Sequence, residues 1–204
     1  MKLYYAPGAC SLAPHIVLRE AGYKFDLERV DVPNKKTESG ADFWLVNPKG
    51  YVPALQLDDG QVLTEVSVII QYLADQKPRR NLAPKPRTME RYRLMEWLNF
   101  ISAEIHKSLS PFFKFKQVMT PEWREAQLGL VAQRFTALEK MLGSNQYVTG
   151  DEFSIADAYL FTVLNWTHFH QIDLGRWPAI PAYMARVAAR PKVKQAMKAE
   201  GLTK

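Results

Sequence analysis

The 204-residue chain is poor in the side chains that make disulfides and metal sites: it has one cysteine, Cys10, and four histidines. A single thiol excludes an internal disulfide and a cysteine-rich zinc site. It also excludes an intramolecular dithiol–disulfide cycle, so redox chemistry at Cys10 needs a second thiol from outside. His168 and His170 are two residues apart and point to different sides of a helix. No other Cys, His or carboxylate cluster has metal-ligand spacing, so no metal is expected. No apolar run approaches the roughly 20 residues that a membrane span needs. The first eight residues hold one lysine, and Pro7 and Gly8 break their apolar stretch at once, unlike a signal peptide. The expectation is a cytoplasmic protein with a free thiol and no membrane partner. Internal repeats and low-complexity tracts are missing as well. With 47% hydrophobic residues the chain has the composition of a folded globular protein rather than a disordered one.

Charge and texture divide the chain. Residues 1–80 hold ten basic and ten acidic residues, and the remainder carries the whole net charge of +6. A basic half raises nucleic acid as a partner. Lys and Arg are dispersed among Glu, which favours a solvated helical surface, and no nucleic acid is expected. The first part reads as short strands and helices. Leu3–Tyr5 and the alternating Phe25–Val32 are strand-like, with a helix over Ser11–Ala21 between them and Gly22 as its stop. Ala54–Leu57 and Val62–Leu63 flank Asp58-Asp59-Gly60, a hairpin signal, and Ser67–Asp75 reads as a helix with Ile69, Ile70 and Leu73 inward. Lys35–Val46 has no defined pattern. The order β-α-β, then β-β-α, implies a small mixed sheet with helices packed on it.

Residues 76–86 contain three prolines and no apolar period. The boundaries that follow are 1–80 for an α/β domain, 81–86 for a linker and 87–204 for an all-helical domain. In the second domain one long helix is predicted over Arg87–Phe113, with Tyr92, Leu94, Met95, Leu98, Ile101 and Ile105 as its apolar residues. Another runs over Glu122–Leu142 and closes at Gly143. Ser154 and Asp157 form a capping-box variant for the next helix. Pro181 and Pro191 stand near the starts of the last two.

Few residues carry candidate chemistry. Cys10 lies between the first strand and the first helix, where helix amides favour a thiolate; a buried, inert thiol is the other reading. Tyr5 and Ser11 have hydroxyls near that point and could donate to a bound thiolate. Val52-Pro53 precedes a strand, and a cis bond there would turn the Val52 backbone toward a peptide-like ligand. Glu65, at a strand-to-helix junction, suits either a ligand ammonium or the helix dipole. Asn99, Ala103 and His106 share one helical stripe, with Glu104 about 100° away, so they read as a cleft wall or as interior polar groups. Phe112, Phe113 and Phe115 are denser than one helix face needs. Aromatics such as these and Trp166 are more often core than pocket, but their density suits an apolar cavity for some of them, or a subunit interface.

Together these segments resemble the bacterial beta-class glutathione S-transferases along the whole chain. The resemblance is carried by Met1–Tyr5 with Pro7-Gly8-Ala9-Cys10-Ser11, by Asn47–Leu55, by Leu63-Thr64-Glu65, by Glu96–Ile101 through His106-Lys107, and by Phe153–Phe161. It implies an α/β plus all-α architecture, a thioredoxin-like N-terminal domain followed by an all-helical C-terminal domain, paired as a homodimer. It implies glutathione as co-substrate and conjugation of its thiolate to hydrophobic electrophiles, a detoxification chemistry, with Cys10 able to form a mixed disulfide. The implied catalytic residues are Cys10, His106, Ser11 and, in a minor role, Tyr5. The implied glutathione contacts are Cys10, Lys35, Val52, cis-Pro53, Glu65, the Val66 amide, Asn99, Ala103, Glu104 and His106. The substrate pocket would be lined by Phe112, Phe113, Phe115 and Trp166. The alternative function is a non-catalytic dimer that sequesters hydrophobic ligands or antibiotics.

Overall fold

A computed structural model describes residues 1–203. The chain forms two compact units, Met1–Ala83 with Ala189–Lys204, and Pro84–Ala188.

The first unit is built on a five-stranded sheet. Its strands are β1 (Lys2–Tyr5), β2 (Asp26–Asp31), β3 (Lys36–Thr37), β4 (Ala54–Gln56) and β5 (Val62–Thr64). Their spatial order is β3-β2-β1-β4-β5. Only the β1–β2 pair is parallel; β1–β4, β2–β3 and β4–β5 are antiparallel. The parallel pair is joined through α1 (Leu12–Glu20), the crossover that parallel strands need. The β4–β5 hairpin closes as the sequence predicts: Gly60 takes φ +87°, and Asp59 Oδ1 accepts from the Gln61 amide at 3.0 Å. Successive residues of β1 serve opposite faces. Tyr4 joins Val30, Phe43, Val52 and Ala54 in one apolar cluster. The fully buried Leu3 is paired in register with Leu55, and α1 packs against α2 (Val66–Gln76).

The stretch left undefined by the sequence holds β3 and a 3₁₀ turn over Phe43–Leu45, capped by Asp42, whose side chain accepts from the Trp44 amide. A further difference lies at the C-terminus. By its texture 87–204 is expected to be one helical domain, whereas α10 (Pro191–Ala199) packs on α1. Its buried Val193 and Ala196 give it an apolar face, and the Arg190 guanidinium meets the Glu20 carboxylate through Nε at 2.8 Å and Nη2 at 3.1 Å.

The second unit is helical throughout. The long helix expected over 87–113 is interrupted. It comprises α3 (Met89–Phe100), a π-helical stretch Ile101–His106, α4 (Lys107–Leu109) and, after Ser110, α5 (Pro111–Lys114). Leu94, Leu98, Ile101 and Ile105 are buried as predicted, but Tyr92 and Met95 are 56% and 43% exposed. They lie off the inward row at i, i+4, i+7 and i+11, so the apolar stripe is narrower than the residue types suggest. The remaining helices are α6 (Pro121–Leu142), α7 (Ile155–Leu164), α8 (Trp166–His170) and α9 (Ala179–Ala189).

Every residue of α7 is buried, which fits its apolar circumference. Asp157 starts it. Its carboxylate accepts from the Ser154 amide and hydroxyl and from the Val148 amide, all at 2.8 Å, and from the Tyr183 hydroxyl at 3.1 Å. Burial pushes the Asp157 carboxyl up, and these four bonds oppose it. This is the capping box read from the sequence, and its role is architectural.

Candidate active site

In the first unit the chemistry gathers where β1 turns into α1. The loop between them is tied by its own groups. The Ala9 amide donates to Ala6 O at 3.0 Å, and Gly8 takes φ +71°. Ser11 is buried; its hydroxyl accepts from the Ala6 amide at 3.1 Å and donates to Ala6 O at 3.2 Å. The Ser11 proton is here directed at the loop backbone. Cys10 is half-buried, and its thiol donates to the Val52 carbonyl at 3.4 Å. The Val52–Pro53 peptide is cis. Thus the structure brings Cys10 and Val52 together from positions 42 residues apart in sequence.

The strand that follows Val52 is prepared by a buried amide. Asn47 Nδ2 donates to Tyr51 O at 2.7 Å, and its Oδ1 accepts from the Lys49 amide at 3.1 Å. Gly50 takes φ +68° against the Trp44 indole. A Cβ there would stand 2.5 Å from the ring, so no larger residue fits without moving it. Lys35 donates to Gly50 O at 2.6 Å and lies over the Trp44 ring at 5.5 Å. Glu65 precedes α2 with φ +69°, a conformation unusual for a residue with a side chain. Its Oε1 accepts from Lys49 Nζ at 2.6 Å and from the Tyr51 hydroxyl at 2.9 Å. The Glu65 bond pushes the Lys49 ammonium up, while burial and then the same carboxylate push the Tyr51 phenol up. Val66 opens α2, so its amide belongs to the first turn, whose N–H groups lack intrahelical acceptors.

One buried network has no counterpart in the sequence reading. The Gly8 amide donates to Glu200 Oε2 at 2.9 Å. Glu200 Oε1 lies 2.8 Å from His15 Nδ1, and both side chains are fully buried. Arg19 Nε donates to His15 Nε2 at 2.8 Å, which leaves the imidazole proton on Nδ1, facing the carboxylate. Glu200 thereby grips the Cys10 loop from the chain's C-terminal segment, 192 residues away. No local signal marks it. Tyr5 packs its ring against His15 at 6.3 Å, and burial, with Glu200 and Glu38, pushes its phenol up. A groove of about 540 Å³ also opens in this unit, lined by Ala6, Pro7, Arg29, Val32, Lys36 and Glu38 among others. It has none of the expected glutathione contacts in its wall.

In the second unit the expected stripe comes apart. Asn99 and Ala103 are exposed, while His106 is half-buried at the end of the π-helical stretch. The wider π turn changes the register on which the stripe was drawn. His106 Nδ1 is hydrogen-bonded to the Tyr159 hydroxyl at 2.7 Å, and its ring meets Trp166 edge-on at 4.8 Å. Glu104 pairs with Arg134.

The aromatic stretch also divides. Phe112 is buried against His170 and under Arg124, the core position that aromatics of this stretch can also take. Phe113 and Phe115 are 45% and 43% exposed. Phe113 packs edge-on against Trp166 at 5.3 Å, making a row Phe113–Trp166–His106, whereas Phe115 leans on Trp123 at 5.2 Å. Among the described residues no group of three or more His, Cys, Asp and Glu has metal-binding geometry, and no helix is long and apolar enough to cross a membrane.

A sheet of this order followed by a helical unit, with a lone thiol against the residue before a cis-proline, defines the thioredoxin-like, two-part architecture. Residues 8–76 match the glutathione S-transferase N-terminal domain model, and residues 100–191 match the C-terminal domain model of the same family. The chain is 46% identical to glutathione S-transferase GstA of Escherichia coli O157:H7, over 99% of this chain and all of that one. It superposes on a beta-class glutathione S-transferase of Sphingomonas chungbukensis with a TM-score of 0.95 and 48% identity, both chains being fully covered. A sphingomonad glutathione S-transferase complexed with glutathione gives 0.94 and 45%, again over both full lengths. The chain belongs to the glutathione S-transferase family, and its likeness is to the bacterial beta class.

Proposed function

We propose that this chain is a glutathione transferase that binds glutathione on its sheet-bearing unit and transfers the glutathione sulfur to hydrophobic electrophiles. The observation that carries the reading is the Cys10 thiol lying 3.4 Å from the Val52 carbonyl at the start of α1, within a chain of this family. The Val52 backbone then holds the cysteinyl part of glutathione. Glu65 and the Val66 amide take the γ-glutamyl end, and Lys35 the glycyl carboxylate. The glutathione thiol loses its proton beside the helix start, where the aligned amides favour an anion. In the transfer a sulfur–carbon bond forms and the leaving group, halide from an aryl halide, departs with the bonding pair. His106, Asn99 and Glu104 are the helical unit's candidates for shaping this step, and the Phe113–Trp166 row its candidate for the electrophile's ring.

Cys10 supports a second step. Its thiolate attacks glutathione disulfide, forms the Cys10–glutathione disulfide and releases one glutathione thiolate. The active form is a cytoplasmic homodimer; what supports the pairing is the set of exposed apolar side chains, including Leu45 at 86% exposure and Met89 at 65%.

The test compares wild type with Cys10→Ala. Treatment with glutathione disulfide should add one glutathione to the wild type, read by intact mass, and none to the variant, while aryl halide conjugation persists in both. No adduct on the wild type removes the mixed-disulfide step, and no turnover of any electrophile with glutathione removes the transferase reading.

A further inference from the structure

Glu65 is not held by the backbone alone. The same oxygen, Oε1, receives a charged donor, Lys49 Nζ at 2.6 Å, and a neutral one, the Tyr51 hydroxyl at 2.9 Å. Lys49 also donates to Thr64 Oγ1 at 2.9 Å, so its ammonium is fixed between two acceptors. Neither donor is a drifting surface group at its root. Both rise from the turn organised by the buried Asn47, which accepts from the Lys49 amide and donates to the Tyr51 carbonyl.

A lysine ammonium and the α-ammonium of a γ-glutamyl group are chemically equivalent here: one positive charge, three N–H donors, no acceptor. Both seek the same carboxylate. We propose that Lys49 is a specificity-determining residue that competes with the ligand's ammonium for Glu65 and so sets how strongly the site selects γ-glutamyl ligands. The inference rests on the glutathione reading above. A ligand ammonium gains the Glu65 carboxylate only by displacing or sharing it with Lys49, whereas a ligand without an ammonium loses nothing to Lys49. Tyr51 differs because its neutral hydroxyl orients the carboxylate without opposing a second cation. The pair is about half exposed on both sides, so the competition is modest. Pairs of this kind shift an equilibrium about two- to five-fold.

The experiment is calorimetric titration with S-methylglutathione, which cannot form a disulfide, and with its analogue bearing a glutaryl group in place of γ-glutamyl. The proteins are wild type, Lys49→Met, Lys49→Arg and Glu65→Gln, at low and high salt. Lys49→Met should bind S-methylglutathione about two- to five-fold more tightly than wild type, leave the glutaryl analogue unchanged, and show the larger gain at low salt. Lys49→Arg should restore wild-type values. Equal weakening of both ligands by Lys49→Met overturns the proposal and makes Lys49 a direct ligand contact. If Glu65→Gln abolishes discrimination between the two ligands while Lys49→Met changes nothing, the proposal falls and the glutathione reading stands. If Glu65→Gln leaves discrimination intact, the assignment of Glu65 falls, and the proposal with it.

Discussion

The two units hold their chemically interesting groups by different means. Around Cys10 the fixing forces are hydrogen bonds and charge: Ser11 on Ala6, Glu200 on Gly8 and His15, Asn47 on the turn before Val52. Around His106 they are aromatic packing against Trp166, one bond to Tyr159 and a π-helical stretch. The first arrangement suits the role proposed for this loop, presenting a thiol and backbone groups to a polar peptide. The second suits a surface whose exposed partner, Phe113, is an aromatic ring. Buried polar networks fail sharply when one member is removed, because the remaining partners are stranded away from water. Ring packing fails more gradually.

That contrast can be broken first at the exception, the polar cap inside the helical unit. Asp157→Ala strands the Ser154 and Val148 donors and the Tyr183 hydroxyl in the interior. Thermal or urea unfolding should show a loss of about 3–5 kcal/mol; a loss below about 1 kcal/mol would mean water enters and satisfies these groups.

A smaller effect should separate the surroundings of Cys10 from those of His106. Glu200→Ala removes the acceptor of Gly8 and His15 and should cost about 3 kcal/mol. It should also raise KM for glutathione more than it lowers kcat, since the loosened loop is the one proposed to meet the peptide. Tyr159→Phe keeps the ring packing and removes the bond to His106 Nδ1. It should cost about 1 kcal/mol and leave KM for glutathione near wild type. Matching KM values for the two variants would erase the distinction.

The smallest effect is alkaline. The Tyr183 phenol is pushed well above its ordinary value by burial and by Asp157, and the Tyr23 phenol, which donates to Leu73 O, is pushed up to about 12 by burial and by Tyr72. A raised phenol favours the protonated folded form. Its contribution is whole below the ordinary value near 10 and declines as pH rises through the folded one. Unfolding midpoints should therefore fall above pH 10, less steeply in Tyr183→Phe and least changed by Tyr23→Phe, because Tyr23 is partly solvated. Identical slopes in all three proteins would assign the alkaline loss to other groups.

Much of the scaffold is legible in the chain because its signals are local. Asp58-Asp59-Gly60 makes its turn through neighbours two residues apart, Ser154 and Asp157 cap a helix three apart, and Pro191 starts α10. Cys10 at a strand-to-helix junction is visible for the same reason. The long-range partners of those elements leave no such trace. Gly8 meets Glu200, and Lys49 and Tyr51 meet Glu65, by the path of the folded chain rather than by spacing. The Arg87–Phe113 pattern looked continuous because apolar residues report which side faces inward, not whether the turn between them is α or π.

By itself the sequence determined the alternation of strands and helices, the two-part division of texture, the position of the single thiol and the family. Tertiary structure alone decided that α10 returns to α1, that Ser11 serves its loop, that Phe112 is core while Phe113 is exposed, and that Glu65 is paired with Lys49. The physical reason is range. Backbone turns and caps are closed by residues within about four positions of one another, whereas burial and ion pairing are settled only when distant segments exclude water from each other.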